Sequence, residues 1–433
     1  MGSTGFGLSI LSIQEDESTD TAALWVMIAA LAVSFYMAFN IGANDLANAM
    51  GTSVGSKALT PFRAVILASI LNFMGAVFVG SRVTKTVAKG IVDLDEIGGG
   101  DPNWIIIYGM MAALLSAALW VSFATYFKMP VSTTHSIVGA MAGFGIAAGG
   151  MAVVNWPVMG TIALSWVVSP LAGAAMAFAC FILMKRAILN DDHPFEKAVK
   201  YAPWLVGLVF GILAIAMVAE VLENRGVHMS FLSTLGIAAL VGILTGIPSF
   251  FLFRRYEAVE ADEYDKVERI FVFLQIITAG YVAFAAGSND VANAIGPVAG
   301  IVDELAYSGG GALPTSTAVG LLVLGGLGIA AGIWIWGRGV METIGKRITQ
   351  ITPTRGFTAE FAAATTVLAC SMLGLPISTT HTLVGAVIGV GLAGGIAAVD
   401  GKVIRRIMVS WLVTVPIAAF TCMAIFLAIE FIA

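Results

Sequence analysis

Long apolar segments, separated by short polar or charged stretches, run along almost the whole chain. Segments of about 20 apolar residues, the length that an α-helix needs to span a bilayer, recur from Ala22 to the last residue. A membrane β-barrel is excluded, because it would show alternating segments of roughly ten residues. The pattern therefore predicts an all-α polytopic membrane protein with about 12 transmembrane segments.

Two polar motifs interrupt these apolar segments, and each motif occurs twice. The stretch Gly42–Ala49 reads GANDLANA and returns as Gly287–Ala294, GSNDVANA, 245 positions later (287 minus 42). The stretch Pro130–His135 reads PVSTTH and returns as Pro376–His381, PISTTH, 246 positions later (376 minus 130). Two motifs in matching order at matching spacing indicate one device built from two equivalent halves.

The predicted order of spans inverts the second half relative to the first. Seven crossings, an odd number, separate equivalent elements. Inverted repeats with broken or re-entrant helices are the architecture of many secondary transporters, whose site lies at mid-membrane between the repeats. We expect Gly51–Ser53, with Gly55, to break the first motif helix. The predicted parts are residues 1–186 (tail and first repeat of about five spans), 187–268 (charged linkers with two non-repeated spans) and 269–433 (second, inverted repeat of about five spans).

The distribution of charged residues predicts that both termini lie outside the cell. The tail holds Glu15, Asp16, Glu17 and Asp20 but no basic residue, so the positive-inside rule places it outside. An even number of crossings places the C-terminus there too, which predicts a multi-pass protein of the plasma or inner membrane. The charged segment Asn190–Tyr201 is interpreted as a cytoplasmic linker.

Composition excludes most other classes of protein. Of 433 residues 58% are hydrophobic and 11% are charged, whereas a soluble domain carries about 25% charged residues. The net charge of −5 gives no indication of nucleic-acid binding. Cys180, Cys370 and Cys422 lie far apart in apolar spans, so they show neither a disulfide framework nor a metal-binding spacing.

The Asn-Asp motif is a candidate cation site. On a helix Asn44, Asp45 and Asn48 share a face, because positions three and four apart are neighbours. A charge at the bilayer centre costs roughly 2.5–3.5 kcal/mol, so its default interpretation is an ion or substrate site. Carboxylate and amide oxygens suit alkali or alkaline-earth cations. The simpler alternative is that Asp45 and Asp290 are helix caps that accept hydrogen bonds from local backbone amides.

The Pro-x-Ser-Thr-Thr-His motif is a candidate oxyanion site. Ser132 and Ser378 are good N-cap residues, so plain capping is the alternative. A half-helix that starts inside the membrane points free N–H groups and a partial positive charge into the cavity. Three consecutive hydroxyls at each start could surround a tetrahedral oxyanion without arginine or lysine. His135 and His381 are predicted to be structural hydrogen-bonding groups.

Charge balance connects the two motifs. Phosphate carries about −1 to −2 near neutrality, and two aspartates would bring the site toward about −4, a large repulsion at low dielectric. No lysine or arginine lies in the motif spans. Mobile cations must therefore accompany the anion, which predicts coupled symport.

The doubled motifs resemble the inorganic phosphate transporter (PiT) family of sodium- or proton-coupled phosphate symporters. The resemblance covers nearly the whole chain from Ala22. It implies termini outside, inverted repeats, frequent homodimers, phosphate held by the Ser-Thr-Thr hydroxyls and cations at the Asn-Asp motifs. It also maps a transport-critical glutamate onto Glu360, which could otherwise be an ordinary first-turn acid, and matches a family glutamine to Gln275.

The chain departs from many family members at three places. Asn72 stands where many members have a glutamate in the second span, and Ala286 replaces a histidine that often precedes the second signature. The long hydrophilic centre of animal members is replaced by Lys185–Tyr201 and two spans, which suggests a microbial form.

The sequence thus predicts a secondary active transporter, not an enzyme, that imports inorganic phosphate by symport with sodium and uses no cofactor. Its expected partners are phosphate, sodium ions, the lipid bilayer and a second copy of the chain, and no nucleic acid. The predicted phosphate-binding residues are Ser132, Thr133, Thr134, Ser378, Thr379, Thr380, Asn44 and Asn289. The predicted sodium-binding residues are Asp45, Asn48, Asp290, Asn293, Glu360 and Gln275.

Other functions remain open at this point. Within the family, coupling to protons, or transport of a metal-phosphate or of sulfate, is the near alternative. An intramembrane aspartyl protease would use Asp45 and Asp290 as a dyad, but a dyad that shares one proton needs unequal environments and these two are alike. An anion channel would need no tight cation pocket.

Overall fold

The computed structural model describes residues 17–98, 103–223, 229–255, 261–307, 313–339, 341, 352–395 and 401–432. In these ranges α-helices dominate, and β-structure is limited to an isolated bridge between Val92 and Val154. The helices are α1 (Glu17–Gly55), α2 (Pro61–Val79), α3 (Ser81–Lys89), α4 (Trp104–Tyr126), α5 (Thr133–Gly149), α6 (Trp156–Met184), α7 (Pro194–Glu223), α8 (Phe231–Arg254), α9 (Glu263–Asp290), α10 (Ala292–Tyr307), α11 (Thr315–Ile335), α12 (Pro353–Met372), α13 (Thr379–Gly394) and α14 (Gly401–Ile432).

The helix lengths confirm the all-α polytopic membrane class. Among the described residues, nine helical stretches are long and apolar enough to cross a bilayer. Their outer faces expose large apolar side chains, for example Leu164, Leu171 and Leu244. Apolar exposure of this kind suits hydrocarbon rather than water, since a soluble monomer rarely shows large contiguous apolar patches. The polar motif residues lie inside instead.

The helix around the first Asn-Asp motif ends at one of the residues expected to break it. Helix α1 ends at Gly55, as predicted, but it continues through Gly51–Ser53, where the expected break is wrong. The interruption occurs in the second copy, where α9 ends at Asp290 and α10 begins at Ala292. Pro297, six positions after Val291, lies inside α10, where proline removes a helical hydrogen bond. The two copies therefore differ in backbone as well as in sequence.

The segment interpreted as a charged linker is mostly helical. A π-helical turn at Lys185–Leu189 follows α6, and α7 begins at Pro194. Ala198 and Ala202 are completely buried, four residues apart on one face of α7. An apolar stripe at this spacing holds a helix against its neighbours even where the other face carries charges.

The halves pack on each other reciprocally. Helix α1 packs on α11, and its counterpart α9 packs on α2. In the same way α5 packs on α14, and α13 packs on α6. These contacts stay the same when the two halves are exchanged. Such reciprocity is expected of two halves related by a two-fold axis, as in an isologous interface.

The glycine of each signature permits a backbone-to-backbone approach of these helices. A β-carbon at Gly42 would lie 1.9 Å from the carbonyl oxygen of Ile329 on α11, and one at Gly287 would lie 2.1 Å from that of Asn72 on α2. Small residues let membrane helices approach this closely. The signature glycines therefore bring each acid-bearing helix against the opposite half.

Candidate functional site

The first acid lies where α1 meets the starts of α5 and α13. Asp45 and Asn48 are one helical turn apart, and Asn48 Nδ2 donates to Asp45 Oδ1 at 2.9 Å. Thr133 Oγ1 donates to Asp45 Oδ2 at 3.1 Å. Asn48 Nδ2 also donates across the molecule to Thr380 Oγ1 at 2.6 Å. All four of these side chains are buried, so the first acid contacts a hydroxyl of its own half directly and one of the opposite half through Asn48.

The second acid repeats the threonine contacts with the halves exchanged, but its asparagine does not donate to it. Thr379 Oγ1 donates to Asp290 Oδ2 at 3.1 Å. Asn293 Nδ2 donates to Thr133 Oγ1 at 3.3 Å and to Thr134 Oγ1 at 3.1 Å. Because Thr133 also contacts Asp45, one continuous hydrogen-bond network joins the two motif copies. The doubled motifs thus form one site rather than two separate sites.

The serines of the second motif cap the helices that carry its threonines. Ser132 Oγ accepts from His135 N at 3.1 Å at the start of α5, and Ser378 Oγ accepts from His381 N at 3.3 Å at the start of α13. The predicted N-caps are confirmed. Each cap fixes a helix N-terminus, with its partial positive charge, beside the hydroxyls of the following threonines.

Two buried oxygens of the second acid motif lack a hydrogen-bond donor. Among the described residues, Asp290 Oδ1 and Asn293 Oδ1 have no partner, although Asp290 is 2% exposed and Asn293 is fully buried. Buried acceptors without donors are rare in proteins, and such oxygens in a polar site are suited to bind an ion or a water molecule. None of the donors recorded here for Asp45 or Asp290 is a lysine or arginine. The pair of bare oxygens therefore has the chemistry of a cation site.

Asn44 and Asn289 use their amide groups to hold the loops in front of the two motif helices. Asn44 Nδ2 donates to Thr125 Oγ1 at 2.9 Å and to Met129 O at 3.1 Å, and its Oδ1 accepts from Val131 N at 3.2 Å. Asn44 therefore contacts the loop that leads into the start of α5. Both of its N–H groups are engaged.

The second copy repeats the arrangement. Asn289 Nδ2 donates to Ser371 Oγ at 3.0 Å and to Leu375 O at 3.1 Å, and its Oδ1 accepts from Ile377 N at 3.2 Å. The geometry indicates a positioning role for both asparagines. Direct contact between these amides and phosphate stays a prediction.

Glu360 forms a second buried cluster with residues of both halves. Its Oε1 accepts from Thr52 Oγ1 and from Ser53 Oγ, each at 2.6 Å. Gln275 Nε2 donates to the same oxygen at 3.2 Å, and Thr278 Oγ1 donates to Oε2 at 2.7 Å. Glu360 lies eight residues into α12, which begins at Pro353, and is fully buried. It is therefore not a first-turn acid.

The two histidines pack against each other edge to face. The ring centroids of His135 and His381 are 4.4 Å apart and nearly perpendicular, and the His135 ring lies 3.7 Å from that of Trp166. Both histidines are buried. This packing places them behind the threonines, where they hold the starts of α5 and α13 against each other.

Sequence reasoning missed several residues of these clusters. Thr52 and Ser53 follow Asn48 by four and five positions, and this helical spacing could have indicated a polar face that continues toward Glu360. Thr125 and Ser371 sit 246 positions apart (371 minus 125) and hold Asn44 and Asn289 in the same way. Only the repeat offset links this pair in the sequence.

Comparison with known proteins identifies the kind of molecule. The profile of the Phosphate transporter family matches residues 41–422. This chain belongs to the phosphate transporter family. The "Putative phosphate permease" of Pyrococcus horikoshii is 46% identical over 405 residues, 93% of this chain and 97% of that relative. The chloroplastic inorganic phosphate transporter 2-1 of Arabidopsis thaliana is 41% identical over 416 residues, 90% of this chain and 70% of that relative.

A solved structure matches the fold as well. The chain named "The sodium-dependent phosphate transporter" aligns with a TM-score of 0.88 at 40% sequence identity, covering 94% of this chain and 100% of that one. The resemblance drawn from the doubled motifs is thereby confirmed. The protein is a phosphate transporter and not an enzyme, so the aspartyl-protease alternative is dropped.

Proposed function

We propose that this transporter carries inorganic phosphate by symport with sodium ions. The observation that carries the proposal is the joined, buried site of Asp45 and Asp290, which faces hydroxyls of both halves and leaves Asp290 Oδ1 and Asn293 Oδ1 without donors. Two carboxylates would repel an oxyanion strongly in a buried setting. Sodium ions bound at these oxygens remove that repulsion.

Phosphate lies between the starts of α5 and α13 in this proposal. The hydroxyls of Ser132, Thr133, Thr134, Ser378, Thr379 and Thr380 supply the contacts, together with the backbone N–H groups of the two helix starts. In the structure Thr133 and Thr379 donate to the acids. When sodium binds the carboxylates, these hydroxyls can turn toward the anion instead. Asn44 and Asn289 position the loops.

In this proposal sodium binds at the carboxylates next to the threonine hydroxyls, on the side away from phosphate. Asp45 and Asp290 supply charge, and the amide oxygens of Asn48 and Asn293 supply neutral ligands of the kind that hard cations prefer. Glu360 and Gln275, with Thr52, Ser53 and Thr278, form a further cation position away from the phosphate. No redox or covalent step is involved, so the protein needs no cofactor.

The proposed setting is the plasma or inner membrane with both termini outside. The acidic tail supports this orientation through the positive-inside rule. A homodimer is proposed on the family resemblance. The parts 1–186, 187–268 and 269–433 remain the proposed division of the chain, and the reciprocal packing of α1 with α11 and of α9 with α2 supports the pairing of its halves.

The deciding experiment measures uptake of labelled phosphate by proteoliposomes under imposed gradients. An inward sodium gradient at equal pH should drive accumulation, whereas an inward potassium gradient should not. A pH gradient without sodium separates proton coupling from sodium coupling. Unlabelled sulfate at excess should compete poorly, because the proposed anion is phosphate.

Each arm can contradict the proposal. Equal uptake with potassium and sodium would refute sodium coupling. Uptake driven by the pH gradient alone would establish proton coupling. Strong competition by sulfate would replace the proposed anion, and passive equilibration with no coupled cation flux would indicate a channel.

A further inference from the structure

The short helix α3 contacts three parts of the protein: α7, α10 and the loop between α12 and α13. The repeat of the two motifs does not predict these contacts. Helix α3 follows α2 in the first half and spans only Ser81–Lys89. Its buried side carries Val83, Val87 and Ala88. Its polar residues reach α7 of the non-repeated pair, α10 of the second half, and the loop between α12 and α13. No role in binding has been given to these residues above.

Arg82 makes the central contacts of this helix. Its Nε lies 2.9 Å from Glu220 Oε2 on α7, while its Nη1 donates to the carbonyl oxygen of Met372 at 2.5 Å. Glu220 is 2% exposed and is also hydrogen-bonded by Ser81. The planar guanidinium can hold both partners at once because its donors are fixed in a fork. Arg82 thus ties the loop after α12 to a buried acid.

Two further contacts lie one and two turns along α3. Thr86 Oγ1 donates to the carbonyl oxygen of Gly374 at 2.7 Å. Lys89 Nζ lies 2.6 Å from Asp303 Oδ2 on α10, the helix that follows the second Asn-Asp motif. Through α3, the first half of the chain therefore contacts the second half at two places, the loop after α12 and helix α10.

The loop that α3 contacts leads directly to the start of α13, the second of the two helix starts proposed to bind the oxyanion. Met372 ends α12, and Ser378 caps α13. Asn289 holds the same loop from the site side through Leu375 O and Ile377 N. The loop is thus fixed between α3 and the second acid motif, and the position of Thr379 and Thr380 depends on both attachments.

We propose that Arg82 and Thr86 are positioning residues, which hold the second phosphate-binding helix start through the 372–376 loop and release it in every transport cycle. The inference rests on the proposed symport by alternating access, in which the two halves must move past each other around the site. The attachment of α3 to this loop is one of the contacts between halves, and in this proposal it opens when the second helix start moves. Glu220 of α7 holds Arg82 from the other side.

A reversible cross-link between Thr86 and Gly374 tests the release. A β-carbon at Gly374 would lie 3.4 Å from Thr86 Oγ1, the atom whose place the sulfur of a cysteine at position 86 takes, so the two sulfurs can approach for a disulfide. Gly374 has φ +70°, but the equivalent position in the first half is Lys128 with φ +56°, which shows that this backbone accepts a side chain. The variant is Thr86→Cys with Gly374→Cys, after replacement of Cys180, Cys370 and Cys422 by alanine.

Oxidation should form the cross-link and stop phosphate uptake, and reduction should restore uptake in the same proteoliposomes. The single variants Thr86→Cys and Gly374→Cys should be insensitive to both treatments. Full uptake by the cross-linked protein would overturn the proposal, as would failure of the pair to cross-link. A wrong coupling ion would show instead in the reduced protein, which is assayed with sodium and with pH gradients, so the two failures are distinguishable.

A second test weakens the attachment without locking it. Thr86→Val removes one hydrogen bond with little change in shape, and should raise the external phosphate concentration for half-maximal uptake by about threefold or more. The matched control is Lys85→Gln, an exposed position on the same helix. A Thr86→Val protein with parental half-saturation and maximal rate would contradict the positioning role.

Discussion

Glu360 shows how a single buried carboxylate gathers ligands from both halves. It has four recorded donors, two from α1, at Thr52 and Ser53, and two from α9, at Gln275 and Thr278. The charge of a fully buried carboxylate is costly unless it is hydrogen-bonded or paired. The four donors therefore account for the presence of this acid within the membrane, and a bound sodium ion would complete its neutralisation.

Thr278→Val should weaken this cluster. Thr278 makes the hydrogen bond recorded to Glu360 Oε2, so its loss leaves that oxygen poorly satisfied and should cost about 1–3 kcal/mol of stability. Half-maximal uptake should also require more sodium. Thermal unfolding in detergent and the sodium dependence of uptake measure the two effects. The matched control is Thr161→Val, at an exposed threonine on α6; if both variants unfold alike, the cluster contributes nothing to stability.

Asp45→Asn and Asp290→Asn should each reduce phosphate uptake to background. Each change removes one of the charges proposed to bind the coupled cation but keeps the shape of the side chain, so insertion and folding should persist. Uptake in proteoliposomes and size-exclusion profiles of the purified variants check both statements. An exposed acid, in Glu96→Gln, is the control. Parental uptake by both aspartate variants would remove these residues from the site.

At the scale of elements, paired glycines fix the helices that start at the site. On α5 a β-carbon at Gly143 would lie 2.4 Å from Ala419 O of α14. On α13 a β-carbon at Gly385 would lie 2.2 Å from Pro170 O of α6, and one at Gly389 would lie 2.1 Å from Ala174 O. Each of these helices is thus held in backbone contact with the last helix of the opposite half.

Gly389→Ala should therefore destabilise the protein. The added methyl group has no space against the α6 backbone, and overpacking of this kind costs typically about 1–3 kcal/mol. Gly160→Ala is the matched control, because nothing lies within 4 Å of a β-carbon there and alanine favours a helix. Thermal unfolding in detergent should show a lower midpoint for Gly389→Ala alone. Equal midpoints would mean that α6 and α13 separate without cost.

At the scale of the whole molecule, the two halves are not equivalent around Glu360. The repeat offsets place Leu114 opposite Glu360 (360 minus 246), Ala30 opposite Gln275 (275 minus 245) and Val33 opposite Thr278 (278 minus 245). Pro297 and Val298 correspond to Thr52 and Ser53 by the same offset of 245. The polar cluster thus has an apolar counterpart, so the proposed cation position at Glu360 has no equivalent in the repeat.

Leu114→Glu should be strongly destabilising because of this difference. Leu114 is fully buried, and the residues equivalent to the donors of Glu360 have no side-chain hydroxyl or amide. An unpaired buried carboxylate costs several kcal/mol or stays protonated at similar cost, about 2–7 kcal/mol for an unbonded polar group. The yield of monodisperse protein and its unfolding midpoint measure the effect, with Leu114→Met as the volume-matched control. A stable Leu114→Glu protein would show that the first half also offers donors.

Much of the site could be predicted because the relevant signals are local. The N-caps at Ser132 and Ser378 follow from residue type and spacing, and the pairing of the motifs follows from the repeat. The crosswise contacts, such as Asn48 with Thr380, could not be predicted, because they join residues 332 positions apart. The contacts of Asn44 with the 129–131 loop could not be predicted either, because only packing shows which face of a helix meets a loop distant in sequence.

The sequence by itself determined the membrane class, the doubled motifs and the family, because apolar span length and short motifs are properties of consecutive residues. The tertiary structure decided which half supplies each contact: α1 brings Asn48 to Thr380, α3 brings Arg82 to Met372, and Thr52 with Ser53 reaches Glu360. These contacts depend on how helices from opposite halves cross, and that crossing is set by close packing at positions such as Gly42 and Gly287, which no local pattern encodes.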